Sequence, residues 1–320
     1  MLSRAPRVAV LLPVTGRAPF VKDQIRSIIN QPGTRPEIHL LVNGLKDQSS
    51  ESLVDTAGAS LASVRVVQDP LGLPTAFLDL IAAQAFQNAP FVAYSDQDDL
   101  WHPDKLKTAV EAIGDRPDPV LWVSGRTQFK EGDERSTRLV VPNLWSMADV
   151  AVGCPAPGCC MVMNAPLLER VAELANRRGI VMHDWLTVAL ATAQGTVVID
   201  PRPLVHYRLH DGQTLGNRRS ILGRLVRLAR AAIGKAPCME SQARVLAQRW
   251  AEQGLGVPLA IELLARGNVP ALLRACHSGQ LRRRTRIGKF TLPCRLVLGR
   301  FLRLGDTRSD RPWLMPRKRT

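Results

Sequence analysis

Between residues 7 and 130, apolar runs of strand length alternate with stretches whose apolar residues recur at helical spacing. No other property of the chain restricts its fold so tightly. Strands are expected over 8–12, 38–42, 64–67, 91–95 and 120–129, and helices over 20–29, 49–57, 75–86 and 103–113. A rhythm of this kind builds an α/β domain, a mostly parallel sheet with helices on both faces. Residues 13–17 hold a single glycine, so the glycine-rich dinucleotide and P-loop patterns are both missing. Past a charged, proline-containing stretch (130–157), residues 158–164 read as a strand, 165–175 and 186–193 as helices, and 197–199 and 204–209 as two further strands.

The strand over 91–95 runs directly into Asp96-Gln97-Asp98-Asp99, and Pro103 then opens a helix. Open α/β sheets gather their ligands at the carboxyl ends of strands. Carboxylates this close repel one another unless a cation or strong donors compensate. A divalent metal serving a diphosphate answers that need. The alternative is an acidic turn ahead of a proline-initiated helix.

The charge is divided sharply along the chain. Residues 1–216 carry 20 basic and 23 acidic residues, a net −3, whereas residues 217–320 carry 23 and 5, a net +18. So basic a C-terminal third suits a polyanion, either anionic lipid or nucleic acid. Apolar residues there recur at helical spacing beside arginines (221–233 and 281–304), which favours a membrane interface. Stacking aromatics are few (Trp250, Phe290, Phe301, Trp313), which speaks against nucleic acid. The first apolar run, 8–14, contains Pro13 and is followed by no small-residue cleavage site, so it reads as a strand and not as a leader. No apolar stretch approaches the roughly 20 residues that span a bilayer. A cytoplasmic protein peripheral to the membrane is the expectation, with its six cysteines reduced. Cys154, Cys159 and Cys160 match no common zinc spacing.

Four stretches occur in a telling order: 21–31; Ser95-Asp96-Gln97-Asp98-Asp99-Leu100-Trp101, continuing through Pro103-Asp104-Lys105-Leu106; Gly158-Cys159-Cys160-Met161; and His183-Asp184-Trp185 followed by Tyr207-Arg208-Leu209-His210. Together they resemble the family 2 glycosyltransferases of the GT-A fold, in particular the bacterial rhamnosyltransferase-like subgroup that builds surface polysaccharide. The resemblance covers about 7–216. It implies a nucleotide-diphospho-sugar-binding domain over 1–216, a basic amphipathic helical region over 217–307 and a disordered tail over 308–320.

The resemblance also implies roles. Asp98, Asp99 and His210 would hold Mg²⁺ or Mn²⁺, a hard cation that takes oxygen ligands. Asp96 and Gln97, with Pro13, Val14, Thr15, Asn43 and Gly72, would contact the donor. Asp184 would be the general base, and Gly158, Cys159, His183 and Trp185 would lie on the acceptor side. The chemistry that the resemblance implies would be inversion by direct displacement, from dTDP-rhamnose or a UDP-hexose to a glycan or lipid-linked glycan. For His210 the alternative is a structural histidine, and for Asp184 a helix N-cap. One departure stands out: the family ends its second strand in two aspartates, where this chain has Val42-Asn43. That leaves a catalytically inactive nucleotide-sugar-binding paralogue as a further reading, beside a nucleic-acid-binding protein led by residues 217–320.

Overall fold

The computed structural model describes residues 5–15, 18–44, 49–83, 88–133, 136–141, 145–180, 182–210 and 239–283, with 292–293 and 296–297. The chain divides into two compact units. The first comprises Met1–Asn143, Ala156–Asn176 and Leu190–Gly216, and the second Leu144–Pro155, Arg177–Ala189 and Asn217–Thr320.

The first unit is built on a nine-stranded sheet. Its strands are β1 (Arg7–Thr15), β2 (Arg35–Asn43), β3 (Leu61–Val67), β4 (Phe91–Tyr94), β5 (Leu100–Trp101), β6 (Val120–Phe129), β7 (Thr137–Leu139), β8 (Met161–Asn164) and β9 (Thr196–Arg208). They run in the order β3-β2-β1-β4-β8-β6-β9-β5, with β7 beside β6. The long pairings, β1 with β2, β2 with β3 and β6 with β9, are parallel, as is β1 with β4. The sheet is mostly parallel, as the alternating pattern requires. Its helices are α1 (Val21–Ile29), α2 (Ser49–Ala57), α3 (Leu73–Ala83), α4 (Lys105–Ile113) and α6 (Ala165–Ala175). The central strands are buried on both faces: every residue from Val8 to Leu12, and all of β4 and β8, lies in the core.

The short β8 lies antiparallel between β4 and β6. One expectation needs correction. The strands expected at 197–199 and 204–209 are one strand, β9, which bulges opposite Ser124 and Gly125. At the bulge the Asp200 carboxylate accepts from the Arg202 backbone N–H at 2.9 Å, taking a group the ladder leaves unpaired. Gly125 is needed there. A Cβ would lie 3.1 Å from the carbonyl oxygens of both Pro201 and Arg202.

The second unit is helical among its described residues, with α5 (Met147–Val150), α8 (Met239–Glu252), α9 (Leu259–Arg266) and α10 (Val269–His277). The α7 helix (His183–Gln194) begins in this unit. Ala243, Leu246, Ala247 and Trp250 form the buried stripe of α8, and Ile261 and Leu264 that of α9. No described helix is long and apolar enough to cross a membrane. The arginine-flanked stretch 221–233, most of 284–304 and the tail 308–320 lie outside the described residues.

Candidate active site

Strand order reverses direction at β1: β2 and β3 lie to one side and β4 to the other. Such a switch point opens a crevice at the carboxyl ends of the strands. β4 pairs with β1 only as far as Leu11 and Tyr94, and the Ser95 N–H then donates to Leu11 O at 3.0 Å. Beyond that the two chains separate. Pro13 sits where β1 no longer needs a donor on the β4 side. Across the opening, the Thr15 backbone N–H donates to Gln97 Oε1 at 2.7 Å. Buried Gln24 of α1 steadies the near side by donating to Ser95 Oγ at 2.7 Å.

The acidic turn is gripped from β9. Arg208 is only 3% exposed at its side chain and lies between two rings, 4.2 Å from the Phe20 centroid and 4.9 Å from that of Phe129. Its Nε donates to Asp98 O at 3.0 Å, its backbone N–H to Asp99 Oδ1 at 3.2 Å, and its guanidinium pairs with Glu131. Two residues further, His210 Nε2 meets Asp98 Oδ2 at 2.6 Å. Both side chains keep a solvent-facing edge, 26% exposed for His210 and 19% for Asp98. A carboxylate oxygen and an imidazole nitrogen at an open crevice are a donor set that fits a divalent cation. Arg208→Lys keeps the charge but not the planar stack or the bond to Asp98 O. Arg208→Lys should therefore loosen the acidic turn, read as a lowered melting temperature.

Asp99 differs from Asp98 in being completely buried. Burial, and then the charges of Asp96 and Asp98, push its carboxyl well above the usual carboxylate range, although Cys159 and the Arg208 N–H bond to it. Ligand atoms of Asp96, Asp99 and Cys159 lie within 4.8 Å of one another. Asp99 therefore supports the turn from beneath while Asp98 faces outward. Cys159, expected on the acceptor side, is turned into this core with Gly158 and Cys160. Its hydrogen bond with Cys160, and then its burial, push the thiol up.

Other expected contacts are also redirected. Pro13 and Val14 are buried within β1, which leaves Thr15 as the half-exposed residue of that trio. Asn43 is fully buried and makes a reciprocal pair with Leu71: its Nδ2 donates to Leu71 O at 2.8 Å and its Oδ1 accepts from Leu71 N at 2.7 Å. The amide holds the loop that leads through exposed Gly72 into α3. Gly44 closes this corner at φ 69°, where a Cβ would strike Pro70 at 2.7 Å. An aspartate at 43 could not donate to Leu71 O. Asn43→Asp should therefore cost roughly 2 kcal/mol or more in stability, measurable as a lowered urea midpoint.

In the second unit, α7 begins at His183, which puts Asp184 inside its first turn and not at the N-cap. Asp184 Oδ1 accepts from the Trp185 N–H at 2.7 Å. Burial pushes this carboxyl up to about 6, against that bond and one from Cys154. His183 is buried and pulled down to about 3, so it is neutral. Trp185 is fully buried and donates from Nε1 to Val150 O at 2.7 Å, which anchors α7.

The glycosyl transferase family 2 model matches residues 9–170, just over half of the chain. The chain belongs to glycosyl transferase family 2. It is a glycosyltransferase, and its matched span carries the switch point, the acidic turn and Cys159. A dTDP-rhamnosyl transferase, RfbG of Shigella flexneri, is 24% identical over 226 residues, 65% of this chain and 75% of that protein. Among solved structures, S. aureus TarS residues 1–349, in complex with UDP-GlcNAc, superposes with a TM-score of 0.53 at 12% identity, covering 93% of this chain and 92% of that one. The mannosyltransferase PcManGT from Pyrobaculum calidifontis, in complex with GDP-Man and Mn²⁺, gives 0.52 at 18% identity over 96% and 89%. Both likenesses are of fold, and the fold is GT-A.

The acidic turn, His210 and Asp184 are evident in the sequence. Arg208, Phe20 and Phe129 are not, because a guanidinium held between two rings draws on three separated segments.

Proposed function

We propose that this member of the family is an inverting, divalent-metal-dependent transferase. It moves a sugar from a nucleotide-diphospho-sugar, dTDP-rhamnose or a UDP-hexose, to a hydroxyl of a growing surface glycan, lipid-linked at the membrane. The observation that carries the reading is the 2.6 Å contact between Asp98 and His210, which brings together residues 112 apart at a strand-end crevice. Those two side chains would hold Mg²⁺ or Mn²⁺, which supplies positive charge to the departing diphosphate. PcManGT, of the same fold, is in complex with GDP-Man and Mn²⁺, and RfbG is a dTDP-rhamnosyl transferase.

Thr15 and Gln97 join the two lips of the crevice and orient the donor beside Asp96. Arg208 fixes the Asp98 main chain from behind. Asp184 accepts the proton of the acceptor hydroxyl as its oxygen bonds to the anomeric carbon and the bond to diphosphate breaks. A base held near 6 is mostly ionised at pH 7 yet still basic enough for that task. Residues 217–320, with their net +18, would rest against anionic lipid on the cytoplasmic face. Nucleic acid is a poorer fit, since Arg282 is paired with Asp149 and Arg283 donates to Val152 O.

A panel of nucleotide sugars, scored for released nucleoside diphosphate and for product anomer by NMR, tests this reading. Release from one donor with inversion is expected. Retention, or no release from any donor with Mn²⁺ and acceptor present, would contradict it.

A further inference from the structure

Two adjacent arginines of the basic C-terminal third turn inward, onto α5 and the turn that follows it. Arg282 forks Asp149, with Nε 3.0 Å from Oδ1 and Nη2 3.1 Å from Oδ2, and its backbone N–H donates to Ala148 O at 3.1 Å. Asp149 in turn accepts from the Ser146 N–H at 3.1 Å and from Ser146 Oγ at 2.8 Å, which fixes the start of α5. Arg283 Nη2 donates to Val152 O at 2.7 Å. Gly153 leaves room for that guanidinium, since a Cβ there would lie 3.1 Å from Nη2. A charge-assisted bond of this kind holds a buried carbonyl more firmly than a neutral one.

The turn held by Arg283 is the one that meets Asp184. Val150 O accepts from Trp185 Nε1 at 2.7 Å and from the Gly153 N–H at 3.1 Å. The Trp185 N–H donates to Asp184 Oδ1 at 2.7 Å, and the Cys154 thiol bonds the same carboxylate. From the opposite side, buried Gln242 of α8 accepts the Met182 N–H at 2.6 Å, and Met182 O accepts from the Leu186 N–H at 3.1 Å in the first turn of α7. Residues of the C-terminal third thus grip both segments that frame Asp184. We propose that Arg283 is a positioning residue for the transfer step: by fixing the 150–154 turn it holds Trp185 and Cys154, and through them the Asp184 carboxylate, in place. The proposal rests on the reading of Asp184 as the general base. It gives the C-terminal third a duty in the catalytic machinery, separate from any contact with lipid.

Arg283→Met keeps the aliphatic stem and loses the donor to Val152 O. The kcat for transfer should fall roughly tenfold or more, while KM for the nucleotide sugar stays within about twofold of wild type, because Asp98 and His210 are untouched. The pH profile of kcat separates positioning from general loosening. Burial is the largest influence on Asp184, ahead of the bonds from Trp185 and Cys154, and holds it at about 6. A freed turn admits water, so the acid limb should move to lower pH by roughly half a unit or more. Arg283→Lys, whose ammonium still donates to Val152 O, should recover most of kcat and return the limb. In a folded Arg283→Met protein, a kcat within about twofold of wild type, or a lowered kcat with an unmoved limb, overturns the proposal. Should Arg283→Met fail to fold, Gly153→Val, whose side chain takes the space of the guanidinium, is read by the same limits. The base reading fails separately, on full transfer by Asp184→Asn. An acid limb that vanishes in Asp184→Asn yet stays in place in Arg283→Met keeps the base and sinks the role of Arg283.

Discussion

Asp98→Ala should lower metal-stimulated donor turnover by 10³-fold or more, on the order of what loss of a charge-stabilising group costs an enzyme. Asp98 is the acid of the turn that combines an open edge with a nitrogen partner, His210 Nε2 at 2.6 Å. Asp99 cannot stand in for it, being buried and bonded to the Arg208 N–H. The fold should not suffer. Asp98 is one of the charges that push Asp99 up, so its removal relieves repulsion. A melting temperature equal to or above that of wild type is expected alongside the lost activity. Calorimetric titration with Mn²⁺ should show binding weakened in both Asp98→Ala and His210→Ala.

Asp184→Asn should reduce transfer by roughly 10²–10⁴-fold and at the same time make the protein more stable at pH 7. Burial raises the folded-state value from 3.8 to about 6, so folding favours the protonated form. The stability this group contributes is fully present below about 3.8 and is lost as pH rises through 6. At pH 7 the ionised carboxylate opposes folding by at most about 3 kcal/mol. Asparagine keeps an acceptor for the Trp185 N–H without that charge, and should recover part of the loss as a higher urea midpoint. Activity runs the opposite way. Wild-type kcat/KM should fall about tenfold per pH unit below 6 as the base is protonated. An Asp184→Asn protein with full activity, or one less stable at pH 7 than wild type, contradicts this assignment.

What could be read in advance followed periodicity. The α2, β6 and α6 spans, Ser49–Ala57, Val120–Phe129 and Ala165–Ala175, have the predicted ends because apolar spacing and flanking turn residues mark them. The placing of β8 between β4 and β6 was hidden, since a four-residue apolar strand carries no signal of its partners or direction. The bulge in β9 was hidden for a related reason: Asp200-Pro201-Arg202 looks like a turn until the Asp200 carboxylate is seen to take the Arg202 N–H. The acidic turn announced itself through the crowding of like charges. Its surroundings did not. Lys105 reads as an ordinary helix lysine, and only packing shows it buried over Trp101. Asn43 looks like a donor contact at a strand end, yet its amide is committed to Leu71. In each case the residue type was visible and its partner, distant in sequence, was not.

The most direct test of the whole account is nucleoside-diphosphate release by the purified full chain, with a nucleotide sugar and acceptor, before and after chelation. Release should stop in excess chelator and return on adding Mg²⁺ or Mn²⁺, and Asp98→Ala should not respond to the added metal. Full release in chelator, or undiminished release by Asp98→Ala, would contradict a donor site built on Asp98 and His210.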